Sequence, residues 1–519
     1  MKKILVLYFL FSCFGNVLPA QSVSNGEITW GPVYETQKNA NVKTIVSFGN
    51  GFYIVKTVNS RKKQGIYIEK YAGENVTREK QAFFNYPVFP NGKAQYEKII
   101  YRNGALIWYV NSFDRVNRKH ELFSVKIDAD LTAASNPELV DGYSMTSSRS
   151  LPGFTIHEAT GRRFTMIARK FPYDKFSNEK YYLMMFDSTM KELWKKEIEL
   201  PYANNLLDIT DKLIDRKGNV HLLATLAPEK QKGDLFNRSM AANKYLLVSF
   251  YPAENKLKEF EINLDGKYIT AVTAGMNPAN NIAVGGFYSN SNSFTLAGTF
   301  YLTVSPETKQ VLTLNQKPFE KEFLMEFMSE RAANRGEELT DFYFDHFILN
   351  ADGSAMLVAE EYYKQTHTYF DPYNQLYYDN NTYNYNSIIV VKVNQAGEIA
   401  WTRKISKRQV STTGYNEYFS YALAKGSNQL YIMFNDHSGN LKDRQVNAAS
   451  VYGLTQNKYS APVLVTLDST GAGRKQRFYE ADKERLTFLP SVSRRLNDDI
   501  YLIARQRKNK IQFGRLKVN

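Results

Sequence analysis

DFYFDHFILNADGSAMLVAEEYYKQTHTYFDPYNQLYYDNNTYNYNSIIVVKVNQAGEIAWTRKISKRQ, residues 341–409, is the stretch that decides the fold. It contains four runs rich in β-branched and aromatic residues, at 342–349, 355–362, 388–393 and 398–405. Turn formers separate the runs within each pair, namely Asp352-Gly353 and residues 394–397. Such runs joined by such turns predict two hairpins that together form one four-stranded antiparallel sheet.

The same hairpin recurs along the whole chain. An apolar run, a turn and a second apolar run are found with turns near Gly51, Gly104, Gly161, Gly218, Asn280, Gly353, Ser427 and Asp498. A further hairpin follows each of the first seven, with turns at 72–75, 128–131, 187–190, 252–256, 305–309, 394–397 and 468–471. Repeated four-stranded sheets predict an all-β fold, a β-propeller of antiparallel blades.

The two ends of the chain decide the number of blades. The last hairpin is followed by only one more run, 511–518, and the segment 27–37, with Trp30, has no partner of its own. If these two segments pair, the N-terminal strand completes the C-terminal blade and closes a ring of eight blades. Seven blades is the alternative, because the repeats between 271 and 338 are irregular. We therefore expect one propeller domain over residues 21–519.

One insertion, within residues 319–338, is predicted to be helical. Pro318 precedes it, Phe319, Phe323 and Phe327 recur at four-residue spacing over 319–334, and Gly336 lies just beyond its end. These are start, face and stop signals of a helix. We expect it to cover an edge or a face of the ring, with binding to a partner as the alternative.

A second insertion, residues 362–387, holds eight tyrosines and five asparagines. It predicts an extended hairpin whose tyrosines pack across the two strands. Tyrosine also joins apolar area to a hydroxyl group and loses little side-chain entropy on binding, so the hairpin is a candidate contact surface. The candidate binding residues are Tyr369, Tyr373, Tyr377, Tyr378 and Tyr383.

The first twenty residues predict a signal peptide. Lys2 and Lys3 precede the apolar segment 4–14, and 18–20 offers a cleavage site. Cys13 is the only cysteine, and the bulky Phe11 before it argues against lipidation; the mature chain then has no thiol or disulfide. No later run of eighteen apolar residues predicts a transmembrane helix. The expected location is periplasmic, outer-membrane-associated or extracellular, in a bacterium.

The chain is basic, with 66 Lys and Arg against 52 Asp and Glu and a formal charge of +14. Basicity favours contact with anionic surfaces, but export argues against nucleic acid as a partner. Two basic clusters, Arg403, Lys404, Lys407 and Arg408 and then Arg505, Arg507, Lys508 and Lys510, predict solvated rims or a positive rim around one end of the ring.

Motifs for chemistry are missing from the sequence. The six histidines lack the spacing of a zinc site, no GxSxG motif occurs, and Asp208, Asp211 and Asp215 lack the glycine and closing glutamate of a calcium loop. For His346 and His437 we expect structural roles, with a place in a channel as the alternative. We expect no catalytic residue, metal or cofactor. Carboxylates from separate blades could still form a site that spacing does not reveal.

Two segments resemble a known family. IIVVKVNQAGEIAWTRKISKRQ, residues 388–409, and SYALAKGSNQLYIMFNDH, residues 420–437, resemble a family of exported, propeller-like bacterial proteins, which implies an envelope location and no particular activity. Val393, Gly397 and Trp401 are more loosely similar to the repeat of quinoprotein-type and outer-membrane-assembly propellers; Phe186 and Trp194 match its ends, with Met190 in the place of glycine.

The sequence as a whole favours an exported, non-catalytic propeller that binds a protein or glycan of the cell envelope. The first alternative is an enzyme acting on polysaccharide, with carboxylates at the channel. The second is a protein that binds an anionic envelope ligand through a basic rim.

Overall fold

A computed structural model of the chain describes residues 21–23, 26–36, 40–61, 63–145, 153–172, 174, 176–228, 243–291, 293–414, 416–442, 444–448, 450–456, 459–480, 485–497 and 499–518. The predicted signal peptide and Cys13 lie outside this range. In the part of the chain that the structure describes, no helix has the length and apolar character needed to cross a membrane.

The strands follow one another in antiparallel sheets, numbered here in chain order. The first two strands are β1 (Gln21–Val23) and β2 (Gly26–Glu35). Sheet 1 contains β3 (Ala40–Phe48), β4 (Gly51–Asn59), β5 (Gln64–Ala72) and β6 (Thr77–Asn85). Sheet 2 contains β7 (Gly92–Arg102), β8 (Ala105–Asp114), β9 (Lys119–Asp128) and β10 (Glu138–Ser144). Sheet 3 contains β11 (Phe154–Glu158), β12 (Phe164–Lys170), β13 (Asn178–Asp187) and β14 (Glu192–Ala203).

The next two sheets repeat this order. Sheet 4 contains β15 (Leu207–Ile214), β16 (Val220–Leu226), β17 (Lys244–Tyr251) and β18 (Lys256–Ile262). Sheet 5 contains β19 (Tyr268–Met276), β20 (Ile282–Ser289), β22 (Gly298–Val304) and β23 (Val311–Pro318). The short strands β21 (Thr295–Leu296) and β24 (Leu339–Thr340) pair with each other.

Sheets 6 and 7 complete the internal repeats. Sheet 6 contains β25 (Phe342–Leu349), β26 (Ala355–Asp371), β27 (Leu376–Val393) and β28 (Ile399–Ile405), with β29 (Gln409–Ser411) added to β27. Sheet 7 contains β30 (Tyr421–Lys425), β31 (Leu430–His437), β32 (Ser460–Leu467) and β33 (Gly473–Arg477). Sheets 1 to 7 therefore share the four-stranded meander that the sequence predicts.

Sheet 8 is built from both ends of the chain. Its C-terminal strands are β34 (Thr487–Phe488), β35 (Arg494–Arg495), β36 (Ile500–Arg507) and β37 (Lys510–Val518). The N-terminal strand β2 pairs antiparallel with β37, with Trp30 opposite Gly514, and β1 adds to β2. The pairing of the two end segments that the sequence predicts is thus present.

Short turns connect the strands because residues that tolerate positive φ stand at the bends. Gly104, Gly218 and Gly353 have φ values of 74°, 80° and 86°. Met190, which takes the place of glycine in its turn, has φ 67°. A side chain there is strained but tolerated, and Asp187 compensates by accepting hydrogen bonds from the backbone N–H groups of Thr189 and Lys191.

The helix predicted over 319–334 is wrong as a single element. Two short helices, α1 (Lys321–Leu324) and α2 (Glu330–Asn334), are separated by a turn, and the Ser329 side chain caps α2 by accepting from the N–H of Ala332. The phenylalanine spacing instead serves packing: Phe323 contacts the rings of Phe319 and Phe327 at centroid distances of 5.1 and 5.3 Å. The helices thus close over the core between sheets 5 and 6.

The core lies between adjacent sheets rather than inside one of them. Separate clusters of buried apolar side chains join sheet 1 to 2, 2 to 3, and so on through 7 to 8. A further cluster packs Phe52 and Ile54 of sheet 1 against Leu502 and Phe513 of sheet 8. Sheets that pack face to face in sequence order, seven of them with a four-stranded meander, have the architecture of a β-propeller.

Candidate functional site

The long hairpin of sheet 6 extends well beyond its neighbours. Strands β26 and β27 stay paired from Tyr362 opposite Tyr385 to Asp371 opposite Leu376, which at 3.3 Å per residue is about 30 Å. Every described side chain from Lys364 to Asn380 is exposed. We call residues 364–380 the aromatic arm.

Cross-strand pairs hold the aromatic arm in register. The rings of Tyr369 and Tyr378 stack at 5.8 Å, and those of Phe370 and Tyr377 contact on the opposite face at 5.1 Å. Closer to the sheet, the Thr368 hydroxyl donates to Asp379 at 2.6 Å. A ribbon of two strands with both faces in water is only marginally stable. The cross-strand side-chain pairs therefore supply much of the stabilisation that keeps the arm ordered.

The structure separates the five tyrosines chosen from the sequence. Tyr369, Tyr373, Tyr377 and Tyr378 lie together toward the tip, with 56%, 96%, 75% and 37% of their surface exposed. Tyr383 is half-buried at the base, where it packs on the cluster that includes Phe419. The tip therefore presents four of the five, with Tyr369 and Tyr378 on one face of the ribbon and Tyr377 on the other.

The base of the arm is fixed by a buried ion pair. Lys407 Nζ lies 2.6 Å from Glu360 Oε1, and both side chains are almost fully buried. The same ammonium donates to the carbonyl of Tyr385 at 2.8 Å and to Gln409 Oε1 at 3.1 Å, and the Ser420 hydroxyl donates to Glu360. Burial lowers the pKa of Lys407, and Glu360 opposes that shift.

These contacts correct the expectation of solvated basic rims for three of the eight cations. Lys404 and Lys407 are buried, and Lys404 donates to the carbonyl of Glu326. Arg505 is also buried: it donates to Gln512 at 2.7 Å and lies 4.2 Å from the ring of Trp30. Charge runs at strand ends predict solvation, and four of these cations are indeed exposed: Arg403, Arg408, Arg507 and Lys508. The three buried ones have polar partners elsewhere in the fold.

Asp215, His221 and Ser249 form an arrangement that resembles a catalytic triad. His221 Nδ1 lies 2.7 Å from Ser249 Oγ, and its Nε2 lies 3.3 Å from Asp215 Oδ2. Ser249 and His221 are fully buried, so no substrate could reach the hydroxyl. Lys309 also donates to Ser249, and its pKa is lowered to about 8, first by burial and then by Lys258.

This network therefore has a structural role: it ties a turn of sheet 4 to a turn of sheet 5. Burial lowers the pKa of His221, which favours the neutral imidazole that such a network requires. Sequence reasoning missed it because the partners come from different strands, and no motif spacing signals them. His346 borders a cavity, while His437 accepts from the N–H of Gly439 and caps a 3₁₀ turn.

Four cavities lie where the first strands of the sheets approach one another. The cavity of about 590 Å³ is bordered by sheets 3 to 6, and that of about 170 Å³ by sheets 1, 2, 3 and 8. The others, of about 660 and 440 Å³, adjoin sheets 6, 7 and 8 and sheets 1 and 8. Together they are lined by the first strands of all the sheets, as expected around a propeller axis.

The carboxylates near these cavities are held by separate partners. Glu158 forms an ion pair with Arg102 at 2.5 Å, and Asp211 accepts from the N–H of Ala274 at 3.1 Å. Burial raises the pKa of Asp211. Within the described residues, no group of three or more His, Cys, Asp or Glu is placed to hold a metal ion.

Asp345 is the most perturbed of these acids. Its side chain is exposed on β25 beside His346, and the hydroxyl of the buried Tyr421 donates to it at 2.8 Å. Its pKa is raised to about 7, first by loss of hydration and then by the charge of Glu360. A carboxyl group of this kind can exchange a proton near neutral pH.

Comparisons with known proteins give only distant likenesses. No protein-family model and no curated protein matches the sequence. Similar solved structures include the β-propeller domain of the Trilobed protease from Pyrococcus furiosus, at 9% identity and TM-score 0.36 over 85% of this chain and 96% of that one. The WD40 domain of SCAP from fission yeast aligns at 9% identity and TM-score 0.32, over 92% and 82%.

An acylaminoacyl peptidase in complex with Z-Gly-Gly-Phe-chloromethyl ketone aligns at 9% identity and TM-score 0.36, over 91% of this chain and 58% of that one. Scores this low carry no argument about activity. The fold assignment rests on the strand pairing, and the resemblance to an exported envelope family stays a prediction.

Proposed function

We propose that the chain is an exported, non-catalytic propeller of eight blades that serves as a binding or assembly scaffold in the bacterial cell envelope. The pairing of β2 with β37 and the packing of sheet 1 on sheet 8 support a closed ring. A signal peptide at residues 1–20 would bring it to the periplasm, the outer membrane or the cell exterior.

The observation that carries the scaffold role is the aromatic arm. Isolated exposed aromatics are common, but several large exposed aromatics grouped on one projecting segment favour a site of interaction. Tyrosine with asparagine and threonine, and few charges, is also the composition of antibody binding loops. A protein or glycan of the envelope would pack on Tyr369, Tyr373, Tyr377 and Tyr378.

The fixed base keeps the aromatic arm ordered before a partner binds. Lys407, Glu360 and Gln409 hold the strands where they leave the sheet, and β29 adds a third strand from Gln409 to Ser411. An arm already ordered before binding loses less entropy when a partner docks. We therefore expect recognition with little rearrangement of the base.

The experiment is a comparison of chemical cross-linking pull-downs from envelope fractions. In the test variant, residues 365–382 are replaced by Asn-Gly, a turn that suits a two-residue hairpin and keeps the pairing of Tyr383. A second variant, Tyr377→Ala, should lower the affinity for the partner by roughly thirtyfold if this residue is a hot spot.

The matched control is Phe176→Ser, since Phe176 is an aromatic residue with 87% exposure in the connection between β12 and β13, remote in sequence from the arm. Partners retained by the wild type and by this control, and lost from both arm variants, would support the proposal. An unchanged partner set on the folded, shortened protein would exclude the arm as the contact surface.

An enzyme acting on polysaccharide is the second candidate function. Asp345, with its pKa raised to about 7 and Glu360 nearby, has the character of a general acid. Against it, Glu360 is engaged by Lys407 and Ser420, so the second carboxylate of a glycosidase pair is not available. Release of reducing ends from a panel of acidic and neutral glycans, lost in Asp345→Asn, would favour this candidate over the scaffold.

The basic-rim alternative is weaker than the sequence suggests. Lys404, Lys407 and Arg505 are buried and cannot form part of a rim. The wild type should bind an anionic matrix and be released by added salt if the exposed cations that remain form a rim that binds an anionic ligand.

A further inference from the structure

Arg494 stands where three of the cavities meet. It is the first residue of the two-residue strand β35 and pairs with Leu502 of β36. Its side chain borders the cavities of about 170, 660 and 440 Å³. A single guanidinium is therefore accessible from three directions near the centre of the fold.

The charge of Arg494 is not compensated within the described residues. Among the described ion pairs, none joins a carboxylate to Arg494. Surrounding protein lowers the pKa of the guanidinium by removing its hydration. Arg494 is exposed on the walls of these cavities, so an anion that enters them can reach its guanidinium.

Other cations increase the positive character of the smallest cavity. Lys98 and Arg162 border it with Arg494, and the one acidic residue on its described wall, Glu158, is engaged by Arg102. Lys98 donates to the carbonyl of Ile156 at 2.6 Å, and Arg162 donates to Ser47 Oγ at 2.8 Å. These hydrogen bonds to neutral groups fix the cations in place and leave their charge in the cavity.

The larger cavity beside Arg494 has a different character. Its wall is mainly apolar and aromatic, and includes Phe347, Leu423, Pro490 and Tyr501. At about 660 Å³ it is of the size that holds a small organic molecule. A cationic fork at the edge of an apolar pocket suits a ligand with an acid group at one end.

We propose that Arg494 binds the acid group of a small organic acid whose apolar or ring portion lies in the neighbouring 660 Å³ cavity. The guanidinium fork matches the two oxygens of a carboxylate or phosphate. Lys98 and Arg162 add attraction from the adjoining cavity. The site is independent of the aromatic arm, so either proposal can fail without the other.

Isothermal titration of the mature protein at constant ionic strength tests this site, with four probes: benzoate, phenyl phosphate, acetate and benzyl alcohol. We expect saturable binding of benzoate or phenyl phosphate. Acetate, which lacks the ring, and benzyl alcohol, which lacks the charge, should each bind at least about tenfold more weakly. Preference for benzoate or for phenyl phosphate identifies the acid group as carboxylate or phosphate, and either supports the site.

Arg494→Gln should weaken the binding of benzoate or phenyl phosphate, whichever binds the wild type more tightly, by about tenfold or more. Arg115→Gln is the matched control, because Arg115 lies exposed in the turn between β8 and β9 and its loss changes the net charge equally. Leu423→Phe, which narrows the apolar cavity and keeps Arg494, should remove the advantage of benzoate over acetate.

Three results would overturn the proposal. The first is no saturable binding of either acidic ring compound to the folded wild type. The second is equal binding of benzyl alcohol and benzoate. The third is equal weakening in Arg494→Gln and Arg115→Gln. If Arg494→Gln fails to fold by circular dichroism, Arg494→Lys and Leu423→Phe decide the question.

Discussion

Replacing Lys407 by methionine should destabilise the protein strongly, because it leaves the carboxylate of Glu360 buried without its cation. At 2.6 Å and an effective dielectric constant of about 20, the gross attraction of the pair is about 6 kcal/mol. Most of that offsets the lost hydration of both groups. Removing one partner of a buried pair costs about 3–5 kcal/mol, and we expect Lys407→Met to fall in this range.

Urea denaturation, followed by far-ultraviolet circular dichroism, measures the effect as a shift of the midpoint with an unchanged slope. The matched control is Lys244→Met. Lys244 pairs with Glu261 at 3.2 Å, but both side chains are about half exposed, so its loss should cost at most about 1 kcal/mol.

The double variant Lys407→Met/Glu360→Met separates burial of a lone charge from loss of packing. Removing both charges should recover most of the lost stability, since apolar replacement of a buried pair is often neutral or better. The reasoning is refuted if Lys407→Met is no less stable than Lys244→Met, or if the second substitution adds further loss.

Three further predictions concern other parts of the fold. Because the pKa of Asp345 is raised from 3.8 to about 7, the folded protein keeps a proton between these pH values that the unfolded chain releases. The free energy of unfolding of the wild type should therefore fall as pH rises from 3.8 to about 7. In urea denaturation, Asp345→Asn should lose less stability than the wild type between pH 5 and pH 8. Trp401→Ala should cost about 3–5 kcal/mol by thermal and urea unfolding, since the indole is buried and donates to the carbonyl of Ser469 in the next sheet at 3.0 Å. Gly514→Ala should cost about 1–3 kcal/mol and expose β2 to limited proteolysis, because a Cβ there would lie 2.7 Å from the ring of Trp30.

The repeat could be predicted from the sequence because each turn depends on local chemistry. Gly218 and Gly353 bend the chain where their conformational freedom is needed, and the apolar runs on either side form strands of the expected kind. The pairing of β2 with β37 also followed from counting strands, since one segment at each end lacked a partner. Turn residues and alternating apolar runs determine the local backbone conformation with little dependence on distant contacts.

The errors arise where tertiary contacts override local signals. The spacing of Phe319, Phe323 and Phe327 fits a helix, but the rings pack on one another around a turn that breaks it. Lys407 belongs to a basic run in the connection between β28 and β29, yet its partner Glu360 is on β26, distant in sequence. Arg494 lies in a strand of two residues, too short for any pattern to mark it.

The aromatic arm and the first turns of the sheets lie at opposite ends of the strands. In each meander the first turn joins the first strand to the second, and the connection from the second strand to the third lies at the other end. The cavity of about 590 Å³ is bordered by first turns, including Gly161 and Asn280, whereas the arm extends the second connection of sheet 6. In the proposed ring these are two separate faces. A second connection can lengthen without disturbing the tight first turns, so the arm of sheet 6 can extend without moving the residues that border this cavity.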